Sequence, residues 1–378
     1  MKRSDAGFTL VEMLIVIAIF GFVLAGTSQM FISMLRTHRQ QSRIAETNIE
    51  GIIGLELLRQ DLEKAGYGLP WNVPSGGTFN YAEKDPNTYN LNDGPANPAG
   101  AANPPRGIES ANNVVSVSGI LAGTDYLVIK AANVATNSAC AKWNFLPETG
   151  VPIPWPPQSE NLSGTDRVIV ISPGTPALPT ARTLITGGTQ YNAVAAFAAP
   201  VSSPETRVVY GIDPDTSLRM PFNRADYFVM QPGASDMPKR CATGTGILYK
   251  AVVNQNGGGL SYMPLLDCVA DMQIAFRLDR DGDGVMESTT NVLTDNVTGL
   301  QLTAAETRTQ VKEVRVYILA HEGQQDINYT HPVNSIYVGG DPTIGNSLGR
   351  GFDLTTIANW QNYRWRIYTL VVRLNNLN

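Results

Sequence analysis

GFTLVEMLIVIAIFGFVLAGTSQMFISML, residues 7–35, is a strongly apolar stretch near the N-terminus of this sequence. No charged residue lies between Met13 and Leu35, and these 23 residues could form a helix that crosses the roughly 30 Å hydrocarbon core of a membrane. Lys2 and Arg3 precede the stretch, which predicts that the N-terminus stays in the cytoplasm. A cleaved secretory signal peptide fits poorly, because the apolar run is too long and no small-x-small site closes it. The sequence therefore predicts a membrane-inserted helix, and a plain membrane anchor remains an alternative.

The composition of the chain excludes several classes of function. The 378 residues include 28 Lys and Arg against 33 Asp and Glu, a formal charge of −5, so there is no basic footprint for nucleic acid. The three cysteines form no C-x-x-C pair, which excludes zinc ribbons, ferredoxin-type clusters and thioredoxin-like redox sites. The sequence also contains no Walker A loop and no dinucleotide-binding fingerprint. We therefore predict that the protein is not an enzyme and binds no nucleic acid.

The helical pattern continues well beyond the apolar stretch. Apolar residues recur at spacings of three and four as far as Ala65, as in an amphipathic helix, and no proline interrupts them. We predict one helix from about Phe8 to Ala65 with Gly66 as its C-cap, although two helices joined by a kink would give the same pattern. Residues 8–35 would be its membrane-spanning part and residues 36–66 its amphipathic stalk. We expect the charged residues near its end to lie on a solvated face: Arg59, Asp61, Glu63 and Lys64.

The remainder of the sequence predicts a β-rich head. Residues 67–112 are rich in Pro, Asn and Gly, which indicates a long loop. Residues 113–378 contain short runs of Val, Ile, Tyr and Thr with period-two alternation, and VVSVSG at residues 114–119 is the first of them. Strands do not alternate with helices, so we predict an α+β fold. It would have a long N-terminal helix and a β-rich, mainly antiparallel head that could comprise two sub-sheets.

The start of the apolar stretch resembles a processing site. Gly7-Phe8-Thr9-Leu10-Val11-Glu12, preceded by a short basic leader, is similar to the cleavage site of type IV prepilins. The resemblance implies that residues 1–7 are a leader peptide, that a prepilin peptidase cuts between Gly7 and Phe8, and that Phe8 becomes an N-methylated N-terminus. It also implies that Glu12 neutralises the cationic N-terminus of a neighbouring subunit inside a filament, where an unpaired charge would be costly.

Four later segments resemble minor pilins of the PilW type. They are Leu57–Gly68 at the end of the predicted helix, Pro264–Gln273, Val311–Ala320 and the C-terminal Tyr363–Asn376. The resemblance implies a single-pass protein of the inner membrane with a periplasmic head, incorporated in the pilus or at its tip. The implied partners are prepilin peptidase, other minor and major pilins, and the inner-membrane pilus assembly platform.

The PilW resemblance implies a function in filament assembly. A minor pilin of this kind would prime or cap filament polymerisation after prepilin peptidase has removed the leader. Two alternatives remain open. The protein could be a minor pseudopilin of type II secretion, or a pilus-tip adhesin that uses residues 70–106 or the large head to bind a surface.

One acidic segment could bind a metal ion. Asp279, Asp281 and Asp283 alternate before a turn glycine, and Glu287 follows, so their carboxylates could surround calcium, the one cofactor that the sequence suggests. The twelfth position of this loop is Thr290, which cannot supply the bidentate carboxylate of an EF-hand. Asp-Gly pairs also favour a β-hairpin turn, and we favour this second interpretation.

The cysteines and histidines give weaker signals. In the oxidising periplasm that the resemblance implies, we favour a disulfide between Cys241 and Cys268, which would close a loop between two β segments. The alternative is that no disulfide forms. The three histidines are far apart in the sequence, so we expect ordinary surface residues rather than metal ligands.

Overall fold

The structure is a computed structural model that describes residues 9–73, 81–83, 91–93, 103–174, 182–186, 205–233, 235–341 and 346–377. A long N-terminal helix is followed by a head built from strands, and every pair of neighbouring strands is antiparallel. The predicted α+β class, with a long helix before a mainly antiparallel head, is confirmed.

The long helix α1 spans Leu10–Glu63 without a break, so these 54 residues form one helix rather than two. Thr9 is its N-cap and Lys64 is its C-cap. Gly66, which the sequence predicts as the cap, lies two residues further on in a left-handed conformation (φ +83°) that glycine adopts without strain. The part Leu10–Arg39 is long and apolar enough to cross a membrane.

The head contains fourteen strands and a second α-helix in the part of the chain that the structure describes. The strands are β1 (Ile108–Ala111), β2 (Tyr126–Ala131), β3 (Trp143–Leu146), β4 (Arg167–Ser172), β5 (Thr183–Ile185), β6 (Arg207–Asp213), β7 (Asn223–Met230), β8 (Gly246–Val253), β9 (Leu260–Leu278), β10 (Ser288–Thr290), β11 (Val311–Glu322), β12 (Ser335–Asp341), β13 (Asn346–Asp353) and β14 (Arg364–Arg373). The helix α2 (Ala304–Gln310) begins with a capping box between Thr303 and Glu306. The sequence contains this T-x-x-E signal, but the helix was not predicted from it.

The strands form three antiparallel sheets among the described residues. The largest has the order β1-β2-β7-β8-β9-β11-β14, and β10 adds to the end of β9. A four-stranded sheet has the order β3-β6-β4-β5, while β12 and β13 form a separate hairpin. The C-terminal strand β14 pairs with β11 over most of its length, so the end of the chain forms one edge of the large sheet.

Both faces of the large sheet are covered. On one face, Val316 of β11 packs in the same core as Leu58 and Leu62 of α1. On the other face, Tyr317 packs in a core with Val338 of the β12–β13 hairpin. Because neighbouring residues of a strand point to opposite faces, β11 is buried along almost its whole length. The stalk helix therefore belongs to the core of only one face.

Part of the predicted loop, residues 67–112, is packed into the head. Ile108–Ala111 form β1, so the strands begin inside this stretch rather than after it. Glu83 and Asp93 are buried, and both form ion pairs with the fully buried Nζ of Lys130, at 2.9 and 2.6 Å. These ion pairs hold the two segments that carry the acids against β2. They join residues that are distant in the sequence, which is why the pattern of Pro, Asn and Gly did not reveal them.

Lys130 is one of three cations in this buried charge network. Its Nζ also lies 2.7 Å from Glu109, which in turn pairs with Arg106 at 2.5 Å. Arg224 is the third cation and contacts Asp226 at 2.7 Å. Burial raises the pKa of Glu109 to about 7. Because these buried charges compensate one another, loss of one member leaves its partners with less compensation.

Residues 114–119, predicted as the first strand of the head, are not a strand. The Val114 N–H donates to the Thr124 carbonyl, and the Val114 carbonyl accepts from the Gly123 N–H, both at 2.8 Å. Gly119 has a positive φ of +84°, so the alternating pattern ends in a turn. The alternation here reflects a loop with one buried valine, not strand pairing.

Candidate assembly site

The predicted processing residues Gly7 and Phe8 lie outside the described residues, which begin at Thr9. Glu12, predicted for charge pairing, lies in the first turn of α1. Its Oε2 accepts hydrogen bonds from the Thr9 backbone N–H and the Thr9 hydroxyl, both at 2.8 Å. The Glu12 N–H donates in return to Thr9 Oγ1 at 3.3 Å. This pair is a capping box, so within the single chain Glu12 stabilises the start of its own helix.

Glu12 is the only acidic residue on the apolar surface between Leu10 and Leu35. All the large apolar side chains of this half of α1 are exposed, including Leu10 at 78% and Phe22 at 81%. An apolar surface of this length is stable only where a membrane or other apolar helices cover it. When this apolar surface is covered, the carboxylate of Glu12 loses its hydrating water, which costs free energy. A neighbouring cation would offset this desolvation cost. The arrangement is therefore suited to recruit one cation from a partner.

The second half of α1 is anchored in the head through Asp61. Its carboxylate is buried and accepts hydrogen bonds from the hydroxyl of Tyr227 on β7 and from Nζ of Lys250 on β8. The expectation that Asp61 lies on a solvated face is wrong, because Leu58 and Leu62 place it on the apolar side of the helix. Burial, together with the Asp61 carboxylate, raises the pKa of Tyr227 well above its usual value, so the hydroxyl remains a donor.

Close contacts at two positions along α1 hold this helix against the head. Gly54 lies on the backbone of Leu265 in β9, and a Cβ at this position would collide with the Leu265 carbonyl. At the end of the helix, the side-chain amide of Asn376 donates to the Glu63 carbonyl at 2.6 Å. The exposed half of α1 therefore projects from a half that is fixed to the large sheet.

Two family models match this chain. Residues 226–376 match the family described as type IV Pilus-assembly protein W, PilW, and residues 2–28 match the prokaryotic N-terminal methylation motif. No curated protein and no solved structure matches the chain significantly.

The chain carries a PilW domain. With its prepilin methylation motif it is a minor pilin of type IV pilus assembly, a membrane-anchored structural component that acts with other pilus components.

The two matches fall on the parts of this minor pilin that contain the candidate assembly site. The methylation motif covers Glu12 and most of the exposed half of α1. The PilW match runs from β7 to the C-terminus and includes Tyr227 and Lys250, which hold Asp61. The four-stranded sheet lies between the matched segments and outside both.

In the part of the head that matches PilW, Cys241 and Cys268 form a disulfide bond, which is the pair favoured from the sequence. His321 lies beside it, and its Nε2 accepts from the Ala242 N–H at 2.9 Å. The expectation of a surface histidine is wrong for His321, because its ring is buried against that of Tyr363, with ring centres 4.3 Å apart. Burial lowers the pKa of His321 to about 3, so the ring is neutral at physiological pH.

The four acidic residues considered as a metal site meet in the turn between β9 and β10. They are Asp279, Asp281, Asp283 and Glu287, and one side-chain oxygen from each lies within 4.8 Å of all the others. The same carboxylates also stabilise the turn itself. Asp279 accepts from the N–H groups of Gly282 and Gly284, at 2.7 and 3.1 Å. The geometry is therefore compatible with both interpretations, an oxygen cluster for calcium and a hairpin turn held by its own backbone amides.

Proposed function

We propose that this minor pilin primes or caps filament polymerisation. It is inserted in the inner membrane with its N-terminus in the cytoplasm and its head in the periplasm. Prepilin peptidase cuts between Gly7 and Phe8, and Phe8 becomes the N-methylated N-terminus. The assembly platform then transfers α1 from the membrane to the filament, where it contacts other minor and major pilins. The role involves surfaces that recognise each other and no catalytic step.

The observation that supports this proposal best is the exposed first half of α1. From Leu10 to Leu35 the apolar side chains are exposed, and Glu12 is the only carboxylate among them. One anion on an otherwise apolar surface selects one cation, and the processed N-terminus of a neighbouring pilin is such a cation. A subunit bound in the wrong axial register would leave both charges buried and unpaired. The pair would therefore set the register as well as contribute to binding.

The size of the head supports a position at a filament end. About 310 residues follow Gly66, whereas helices in a bundle pack only about 8–10 Å apart. A head of this size needs more room than a single helix occupies in a continuous filament. Such a subunit is accommodated most easily at the tip, where neighbours are absent on one side, and this is where a primer or cap is needed.

Three variants separate charge pairing from helix capping. Glu12→Gln retains the capping box, because Gln also serves at this position, but it removes the charge. Thr9→Ala removes the capping box and retains the charge, while Glu12→Ala removes both. We expect normal processing of all three. We expect the two Glu12 variants to be depleted about tenfold or more in sheared pili, and Thr9→Ala to be incorporated nearly as well as wild type.

Immunoblots of sheared pili and of membranes would measure incorporation, and mass spectrometry of the N-terminus would measure processing. Normal incorporation of Glu12→Gln would exclude charge pairing. If the Thr9→Ala variant were depleted from sheared pili while Glu12→Gln was incorporated normally, the capping box rather than the charge would be what assembly requires.

A further inference from the structure

The four-stranded sheet carries an aromatic cleft that lies outside both family matches. Trp143 and Phe145 are on the outward face of β3, whereas the residues that alternate with them are buried. Trp155 packs against them, with ring centres 5.2 Å from Trp143 and 6.2 Å from Phe145. Phe145 remains 37% exposed. Three aromatic rings therefore gather at the surface of a region that neither family match covers.

The chain that follows β3 holds these rings in place. It turns back beside the strand, and the Ile153 N–H donates to the Phe145 carbonyl at 3.1 Å. The indole N–H of Trp155 donates to the Trp143 carbonyl at 2.9 Å. Asn161 binds both the N–H and the carbonyl of Trp155 through its side-chain amide, each at 2.7 Å. The rings are thus positioned before a ligand arrives, which reduces the entropy lost on binding.

Of the three rings, those of Trp143 and Trp155 line a cleft with a volume of about 620 Å³, and polar groups line most of the rest of it. They come from Ser138, Lys142, Ser159 and Glu160. Lys142 is paired with the buried Asp166 at 3.1 Å. The Glu160 carboxylate is exposed and forms no ion pair or hydrogen bond with any residue that the structure describes. The uncompensated charge at the cleft is therefore negative.

We propose that this aromatic cleft binds a neutral saccharide. One face of a pyranose ring carries C–H groups that stack on an indole, and its edge carries hydroxyls that pair with carboxylates and serine hydroxyls. Both kinds of group are present here in one cleft of suitable size. An apolar peptide side chain would contact the rings but leave Glu160 and the serines unused. An acidic sugar would bring a second negative charge towards Glu160 and bind less well.

The test uses the full-length protein in a detergent without a sugar headgroup, applied to an array that carries neutral oligosaccharides, acidic oligosaccharides and apolar peptides. The strongest neutral ligand is then titrated while tryptophan fluorescence is recorded. We expect binding to neutral members of the array, and binding to the sialylated form of the same ligand that is about tenfold weaker or more. Binding to acidic members alone, to apolar peptides alone, or to no member of the array would overturn the proposal.

Two variants and a control tie binding to the cleft. We expect Trp155→Ala to abolish saccharide binding. Glu160→Ala should weaken it about tenfold through the loss of a charged hydrogen bond. Because Glu160 is exposed and unpartnered among the described residues, this second variant should fold as the wild type does. Glu148→Ala replaces an exposed acid of the preceding turn and should bind normally. Binding unchanged in both cleft variants would overturn the proposal.

Discussion

At the scale of single residues, Asp61 links the stalk helix to the head through a buried ion pair. It accepts hydrogen bonds from Tyr227 and Lys250, and all three side chains are buried. Removal of one partner from a buried ion pair leaves the other charge uncompensated, at a cost of about 3–5 kcal/mol. We therefore expect Asp61→Ala to lower the free energy of unfolding of the full-length protein by about this amount.

Denaturant unfolding of the wild type and the variant would measure this loss. The matched control is Glu56→Ala on the same helix, where Glu56 forms an exposed ion pair with Arg59 at 2.8 Å. Solvent screens such a pair, so we expect the control to have little effect. Similar losses in the two variants would contradict the role assigned to Asp61.

Glu109 makes stability depend on pH in the opposite sense to most carboxylates. Burial raises its pKa from the ordinary 4.5 to about 7, although Lys130 opposes the shift. Between these two values the folded protein retains a proton that the unfolded chain releases, so this contribution to stability is lost as the pH rises through the window. We expect Glu109→Gln to gain stability relative to wild type, by up to about 3 kcal/mol, as the pH is raised from about 5 to about 8.

Urea unfolding of both proteins at several pH values would test this prediction. The test compares the difference in free energy of unfolding between the two proteins at each pH. Burial also shifts the pKa of Asp125 to about 7 and that of His321 to about 3, and both residues titrate in both proteins, so their effects cancel in this difference. A difference that does not change with pH would show that Glu109 does not retain its proton.

The residues that build the site could be predicted from the sequence only where the signal is local. Glu12 stands out because it is a lone carboxylate in an apolar run. The burial of Asp61 could have been inferred from Leu58 and Leu62 on the same side of the helix, but its partners could not. Tyr227 and Lys250 lie 166 and 189 residues away in the chain, and no local pattern connects them to Asp61.

At the scale of elements, the acidic residues of the turn between β9 and β10 have two candidate roles. They either accept hydrogen bonds from the backbone of the turn or also bind a metal ion. Asp279 is buried and accepts from two glycine N–H groups, at 2.7 and 3.1 Å. Asp281 is exposed and accepts from a single backbone N–H at 3.3 Å. In the presence of a chelator we expect Asp279→Ala to lower the free energy of unfolding by about 1–3 kcal/mol and Asp281→Ala to change it little.

Calcium then separates the two interpretations of this turn. A rise in the melting temperature of the wild type on addition of calcium, absent from both Asp279→Ala and Asp281→Ala, would support a metal site. The absence of any rise would leave the hairpin turn as the function of these acids. Equal losses in the two variants under chelator would contradict the hydrogen bonding described for Asp279.

Elements with a clear local period were predictable, and elements defined by distant contacts were not. The helix α1 follows from its apolar spacing, and its bounds, Leu10–Glu63, are close to those predicted. Residues 114–119 have strand-like alternation but close a loop through their own backbone hydrogen bonds. Residues 67–112 have the composition of a loop, yet Glu83 and Asp93 within them are fixed by the buried Lys130.

At the scale of the whole molecule, three regions have distinct tasks. The first half of α1 presents an exposed apolar surface that is long enough to cross a membrane, and its second half is fixed to the large sheet. The match to the methylation motif covers most of the first half of α1, and the PilW match covers the head from β7 onward, including strands that contact the second half of α1. The four-stranded sheet between the matched segments presents the aromatic cleft. This division explains how one chain could assemble through its helix and leave a binding surface free on its head.

The most direct test of the central claim is to delete the gene and count sheared surface filaments by electron microscopy, with and without the retraction motor. A protein that primes assembly predicts few filaments in the deletion strain, with numbers restored when retraction is blocked or when the full-length gene is supplied again. Normal filament numbers in both backgrounds would contradict a priming function and would favour a pseudopilin of type II secretion or an adhesin.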